Sequence, residues 1–136
     1  MKLLAIDCAA NLCAACVYDA TAKRELGRSV LDLGKGHAEH LMAAIAEALK
    51  AGATDYAGLD AIAVSSPEGN SLVVIDAASG RVVSNSALVE VCGVAPDGTS
   101  FMATTGAGEI IEGSGATRSE PDYVWDNHML RIEQAA

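Results

Sequence analysis

Leu59-Asp60-Ala61-Ile62-Ala63-Val64-Ser65-Ser66-Pro67-Glu68-Gly69-Asn70-Ser71-Leu72-Val73-Val74-Ile75 is where the chain changes character. Leu59–Ser65 is an apolar run of strand length, and Ser71–Ile75 is a β-branched run of the same kind. The five residues between them interrupt the apolar pattern. Residues before this stretch read as an α/β unit, and residues after it read as consecutive β-hairpins. The change falls at the end of a strand, and no Gly/Ser-rich or Pro-rich spacer marks it. The expected division is therefore 1–65 and 66–136, with the hairpins of the second part pairing onto the sheet of the first.

Upstream, Leu3–Ile6 is a continuous apolar run suited to a strand buried on both faces. Leu12–Tyr18 and Glu25–Leu33 come next as two further strands, with the polar turn Asp19–Lys23 between them and Gly27 weakening the middle of the third. Gly36 is placed to cap a helix, with Glu39 in its first turn where the helix dipole favours an anion. Ala38, Leu41, Met42, Ile45, Ala48 and Leu49 recur at spacings of three and four and predict one apolar stripe. His40, Ala43, Glu47 and Lys50 fall on the opposite side. Gly52 is expected to take a left-handed conformation after the last turn. The order strand, strand, strand, helix, strand implies a right-handed crossover onto one sheet.

Downstream, Ser71–Ile75 and Arg81–Ser84 flank the turn cluster Asp76–Gly80 and predict a hairpin. Val91–Ala95, the turn Pro96-Asp97-Gly98, and Ser100–Thr104 predict another. Glu109–Glu112 pairs back after Gly106-Ala107-Gly108. Strands thus recur every 8 to 12 residues.

The 136 residues suit one domain or two small ones. Apolar residues make up 51% but aromatic residues only 4%, so the core rests on Ala, Val, Leu and Ile, each burying little area at about 25 cal/mol per Å². The formal charge of −9 is uneven: residues 1–65 carry 6 basic and 8 acidic groups, residues 66–136 carry 3 and 10. The acidic second part repels phosphate backbones and argues against direct nucleic-acid binding. No apolar run reaches membrane-spanning length, and the start reaches Asp7 after four apolar residues, too few for a signal peptide. A cytoplasmic protein with reduced thiols is expected.

The candidate chemistry is thin. Cys13-Ala14-Ala15-Cys16 has redox or zinc spacing, but an offset of three on a strand puts the sulfurs on opposite faces, and no second pair completes a site. Cys8, Cys13, Cys16 and Cys92 read as small buried apolar residues. Asp7 reads as a strand-end acid. His37 and His40 lie three apart on the helix, and the one other histidine, His128, is remote in sequence, so they read as surface or interface residues. Ser65, Ser66, Asp97, Asp126 and His128 supply the residue types of a hydrolase triad without its Gly-x-Ser-x-Gly elbow. Lys35, between Gly34 and Gly36, lacks phosphate-loop spacing. Trp125 reads as a core anchor. The sequence assigns no catalytic residue, no metal ligand and no cofactor.

Leu3-Leu4-Ala5-Ile6-Asp7, Gly36-His37-Ala38-Glu39-His40-Leu41 and Asp55-Tyr56-Ala57-Gly58-Leu59-Asp60-Ala61-Ile62-Ala63-Val64-Ser65 resemble, in order, the opening of the TsaB (YeaZ) family. Its members are non-catalytic, glycoprotease-like partners in making threonylcarbamoyladenosine in tRNA. The resemblance implies half of an actin-like ATPase fold for residues 1–65. It also implies a scaffold role beside a TsaD-like catalytic subunit, met through His37, His40, Leu41, Ala44, Glu47 and Ala48. Cys8 follows Asp7 where the family usually has threonine, and Ser66-Pro67-Glu68-Gly69-Asn70 replaces the family's glycine-rich loop. Val94-Ala95-Pro96-Asp97-Gly98 and Trp125-Asp126-Asn127-His128-Met129-Leu130 resemble the C-terminal end of a bacterial β-propeller family of unknown function. The alternatives are a β-rich interaction module that docks or self-associates by its strand edges, and a chimeric chain with no evolved function.

Overall fold

A computed structural model describes residues 1–8, 11–113, 115 and 117–119. The strands are β1 (Lys2–Asp7), β2 (Leu12–Asp19), β3 (Arg24–Asp32), β4 (Ala61–Ser66), β5 (Ser71–Asp76), β6 (Val82–Ala87), β7 (Val91–Asp97), β8 (Ser100–Thr105), β9 (Glu109–Ile111) and β10 (Thr117–Ser119). The helix α1 (His37–Ala51) lies between β3 and β4, and a single 3-10 turn, Tyr56–Gly58, precedes β4. Two sheets result, ordered β3-β2-β1-β4-β5-β6 and β10-β9-β8-β7.

The chain is mostly β, and this corrects the expectation of an α/β half-lobe of the actin-like ATPase kind followed by β-hairpins resembling partial propeller blades. The physical reason lies on both sides of β4. The crossover through α1 brings β4 parallel to β1, with Leu3 opposite Ala61 and Ile6 opposite Val64. The chain then turns at once: the Gly69 amide donates to Ser66 Oγ at 3.3 Å, the Asn70 amide donates to the Pro67 carbonyl at 3.1 Å, and Asn70 takes a φ of 48°. β5 returns antiparallel along β4, from Ser66 opposite Ser71 to Ala61 opposite Asp76. No second crossover forms there, and every other strand pair among the described residues is antiparallel. The hairpins of the second part divide between the sheets, β5–β6 extending the first and β7–β10 forming the second.

Three layers result, and the alternation of β1 shows why. Leu4 and Ile6 point to one face, where they pack with Ala15, Val17, Ile45, Ala48 and Leu49 under the helix. Leu3 and Ala5 point to the other, where they pack with Ala63, Leu72, Val91, Val94, Phe101 and Ala103, most of them from the opposing sheet. The apolar run of β1 is thus covered by a helix on one face and by β7–β8 on the other. The core spans position 65, because Leu3 and Ala63 from before it meet Leu72 and Phe101 from after it.

The helix lies close on β3 through two glycines. A Cβ on Gly27 would collide with both the Ala48 carbonyl oxygen and the Gly52 nitrogen. Gly52 has a φ of −79°, so the left-handed conformation expected there falls instead on Ala53, at 47°. Space is tight at position 52, where a Cβ would meet Leu26 Cβ at 3.2 Å. The buried helix residues are Ala44, Ile45, Ala48 and Leu49, whereas Met42 is 61% exposed. The covered stripe is therefore rotated from the one the spacing predicts, with Ala44 in place of Met42.

Candidate functional site

β6 is an exposed strand of the larger sheet. Each residue of Val82-Val83-Ser84-Asn85-Ser86-Ala87 is exposed, and Val82 and Val83 are 60% and 67% accessible. The strand ends the six-stranded sheet and, among the described residues, pairs only with β5, from Ser71 opposite Ala87 to Ile75 opposite Val82. An edge strand pairs through one side of its backbone and offers the other to a further strand. The hairpin that presents β6 is well built. Asp76 accepts from the Ser79 hydroxyl and from the Ser79 amide at 2.8 Å, and these bonds hold its carboxyl below the usual carboxylate range. At the other end the Leu88 amide donates to the Asn70 carbonyl at 2.9 Å, and the Glu90 amide to Asn70 Oδ1 at 2.8 Å.

β6 carries no charge and no proline, and among the described residues a bulge at Val83, where the register shifts against Val74 and Ile75, is its one protective device. Val89, just beyond the strand, is 71% exposed. Arg81 flanks β6 on one side and Glu90 on the other, and both are exposed.

The residues expected on a partner-facing helix surface do not share one face. Ala44 and Ala48 are buried beneath α1, at 1% and 0% exposure, and Leu41 packs beside them against the sheet. His40 and Glu47 are exposed, and His37, at the helix start, is half-buried with its Nε2 enclosed.

The cysteine pairing differs from the one the spacing suggests. Cys13 and Cys16 do lie on opposite faces: Cys13 is fully buried on the helix side, and the Cys16 thiol contacts Glu25 Oε2 at 3.7 Å. The neighbour of Cys13 is Cys8, whose Sγ lies 3.7 Å away. The register signals this: β1 and β2 pair from Lys2 with Asp19 to Asp7 with Ala14, and one step further sets 8 against 13. Burial, reinforced by the Cys13 thiol and the Asp7 charge, pushes the Cys8 thiol up to about 12. Burial also raises Cys16, to about 11, with the Glu25 charge contributing.

The remaining candidates are spread over the fold. Asp7 is buried at the end of β1. Ser65 and Ser66 end β4, and Asp97 ends β7 in the other sheet. Asp126, His128 and Trp125 lie outside the described residues. Lys35 sits in a tight turn between Gly34 and Gly36, which take φ values of 63° and 82°. Among the described residues no group of three His, Cys, Asp or Glu side chains is placed to hold a metal ion, and no helix is long and apolar enough to cross a membrane.

Comparison with protein families identifies the chain. Residues 4–132 match the model of a family described as protein of unknown function (DUF1513), and the chain belongs to that family. The match runs across position 65 and covers both parts, which overturns the resemblance of residues 1–65 to the TsaB family and with it the glycoprotease-like, actin-like ATPase and tRNA-modification readings. It likewise replaces the separate propeller-family reading of the second part. Among curated proteins and among solved structures nothing matches the chain.

Proposed function

We propose that this member of DUF1513 is a non-enzymatic interaction module that associates with a second copy of itself through the β6 edge. The observation that carries the reading is a regular, uncharged edge strand exposed along its whole length. Two such strands set antiparallel about a two-fold axis extend one sheet into the next, each strand supplying the backbone donors and acceptors the other lacks. The flanks favour the antiparallel arrangement. Arg81 precedes β6 and Glu90 follows it, so the two-fold brings the basic flank of one copy beside the acidic flank of the other. The uncharged strand also keeps the −9 net charge away from the contact. The reading includes a cytoplasmic location, supported by four cysteines that all remain thiols.

Light scattering over a range of concentrations tests the proposal. The wild-type chain is expected to approach twice the monomer mass. Asn85→Lys sets like charges near each other across the two-fold and should weaken association at least about tenfold. His40→Glu, on the outer helix surface, should leave it unchanged. A wild-type chain that stays monomeric at high concentration, or an Asn85→Lys chain that associates as well as wild type, refutes the β6 contact.

A further inference from the structure

Cys13 lies on β2, and Cys8 directly follows the last residue of β1, one step beyond the Asp7–Ala14 pair of the antiparallel β1–β2 ladder. Their sulfurs are 3.7 Å apart, in hydrogen-bond contact, and both are thiols. Both lie on the helix side of the sheet. Cys8 packs against the cluster of Leu4, Ile6, Ala15 and Ile45, and the Cys13 thiol points to the His37 carbonyl at 4.0 Å. Cys8 is partly exposed and Cys13 fully buried, so solvent reaches the pair through Cys8. Cys16 and Cys92 hydrogen-bond elsewhere, to Glu25 and to the Glu90 carbonyl.

We infer that Cys8 and Cys13 form an oxidisable pair, a modification site that closes to an intrachain disulfide when the chain meets a small-molecule disulfide oxidant. Directly opposed residues of antiparallel strands have Cα atoms about 4.5–5.5 Å apart. That separation lies inside the range of about 4.4–6.8 Å that a disulfide spans. Rotation of the two side chains then brings the sulfurs from contact to bonding distance without moving the strands.

The chemistry balances through a mixed disulfide. The Cys8 thiolate attacks one sulfur of the oxidant, whose S–S bond breaks and releases one thiol. The Cys13 thiolate then attacks Cys8 Sγ, and the second oxidant thiol leaves. Two protons and two electrons pass from the pair to the oxidant. The titratable groups that act on Cys8 are Cys13 and Asp7. Burial pushes the Cys8 thiol up to about 12, so Cys8 persists as a thiol at neutral pH and reacts slowly. Oxidation ties the end of β1 to β2 beside the first residue of α1.

The test incubates the full chain with excess glutathione disulfide, counts free thiols, and maps the products by mass spectrometry after alkylation. Wild type, Cys16→Ser and Cys92→Ser should each lose two thiols and the mass of two hydrogens. Cys16 should remain alkylated in wild type, and Cys8→Ala should form no intrachain bond. A wild-type chain that keeps all four thiols overturns the inference. So does one that retains glutathione on Cys8, or one whose bond engages Cys16, Cys92 or a second chain.

Discussion

The two outer strands of the six-stranded sheet, β3 and β6, meet the same physical problem in opposite ways. β3 carries Arg24, Glu25, Arg28 and Asp32 along its length, and Glu25 forms an ion pair with Arg28. Helix α1 covers one of its faces through the Gly27–Gly52 contact. β6 carries no charge and, among the described residues, has no cover, and Val82 and Val83 lie open on it. Charged side chains and covering elements are how edge strands avoid pairing with other chains. The contrast within one sheet shows an edge that is closed and an edge that is left available.

Three changes break or sharpen that contrast. The largest effect is expected at Gly27. Gly27→Val forces a side chain into helix backbone that leaves no room even for a Cβ, and should lift α1 from β3. Overpacking of this kind costs about 3 kcal/mol, which lowers the melting temperature by roughly 10 °C. Calorimetry showing an unchanged melting temperature would mean that the helix is not seated on that glycine.

A middle-sized effect is expected from making β3 resemble β6. Glu25→Val combined with Arg28→Val removes the central charges of the closed edge. With two receptive edges per chain, association no longer closes at a pair, and light scattering should show species larger than dimers. A chain with both substitutions that remains dimeric would show that helix cover alone protects β3.

The smallest effect concerns the turn that presents β6. Hydrogen bonds from Ser79 hold the Asp76 carboxyl below the usual range, and amides of Ala22 and Thr21 do the same for Asp19. A carboxyl lowered in the folded state stabilises it above the unfolded value and loses that contribution as pH falls. Melting temperature should therefore be flat near neutral pH and decline below about pH 4. Asp76→Asn should make the decline shallower, and an unchanged slope would separate Asp76 from it.

The elements are readable in the sequence because their signals are local. β-branched runs bounded by turn residues mark β5 through β9, and the spacing of Leu41, Ile45, Ala48 and Leu49 marks α1. Which element covers which is not local. Leu3-Leu4-Ala5-Ile6 states that β1 is buried on both faces, yet nothing in it says that one cover is a helix and the other is β7–β8. An α/β reading arises when both covers are assigned to crossover helices. Gly27 and Gly52 suggest a weakened strand and a left-handed cap, whereas Gly27 makes room for the helix backbone at Ala48 and Gly52, and Gly52 lies tight against Leu26. Met42 illustrates the same limit, since the facing of a helix depends on where the sheet beneath it ends.

The candidate sites divide in the same way. Val82 and Val83 are legible as strand residues, but their exposure depends on none of the described elements crossing that end of the sheet. The contact of Cys8 with Cys13 needs the β1–β2 register, which the sequence spacing between Cys13 and Cys16 obscures. Ala44 and Ala48 belong to an outer surface by resemblance alone and are buried by packing.

Hydrogen exchange of backbone amides, followed strand by strand as chain concentration rises, tests the open-edge account most directly. The account predicts that amides of Val82–Ala87 gain protection with concentration while those of Arg24–Asp32 stay constant. Protection of β6 that is independent of concentration, or a gain confined to β3, would contradict it.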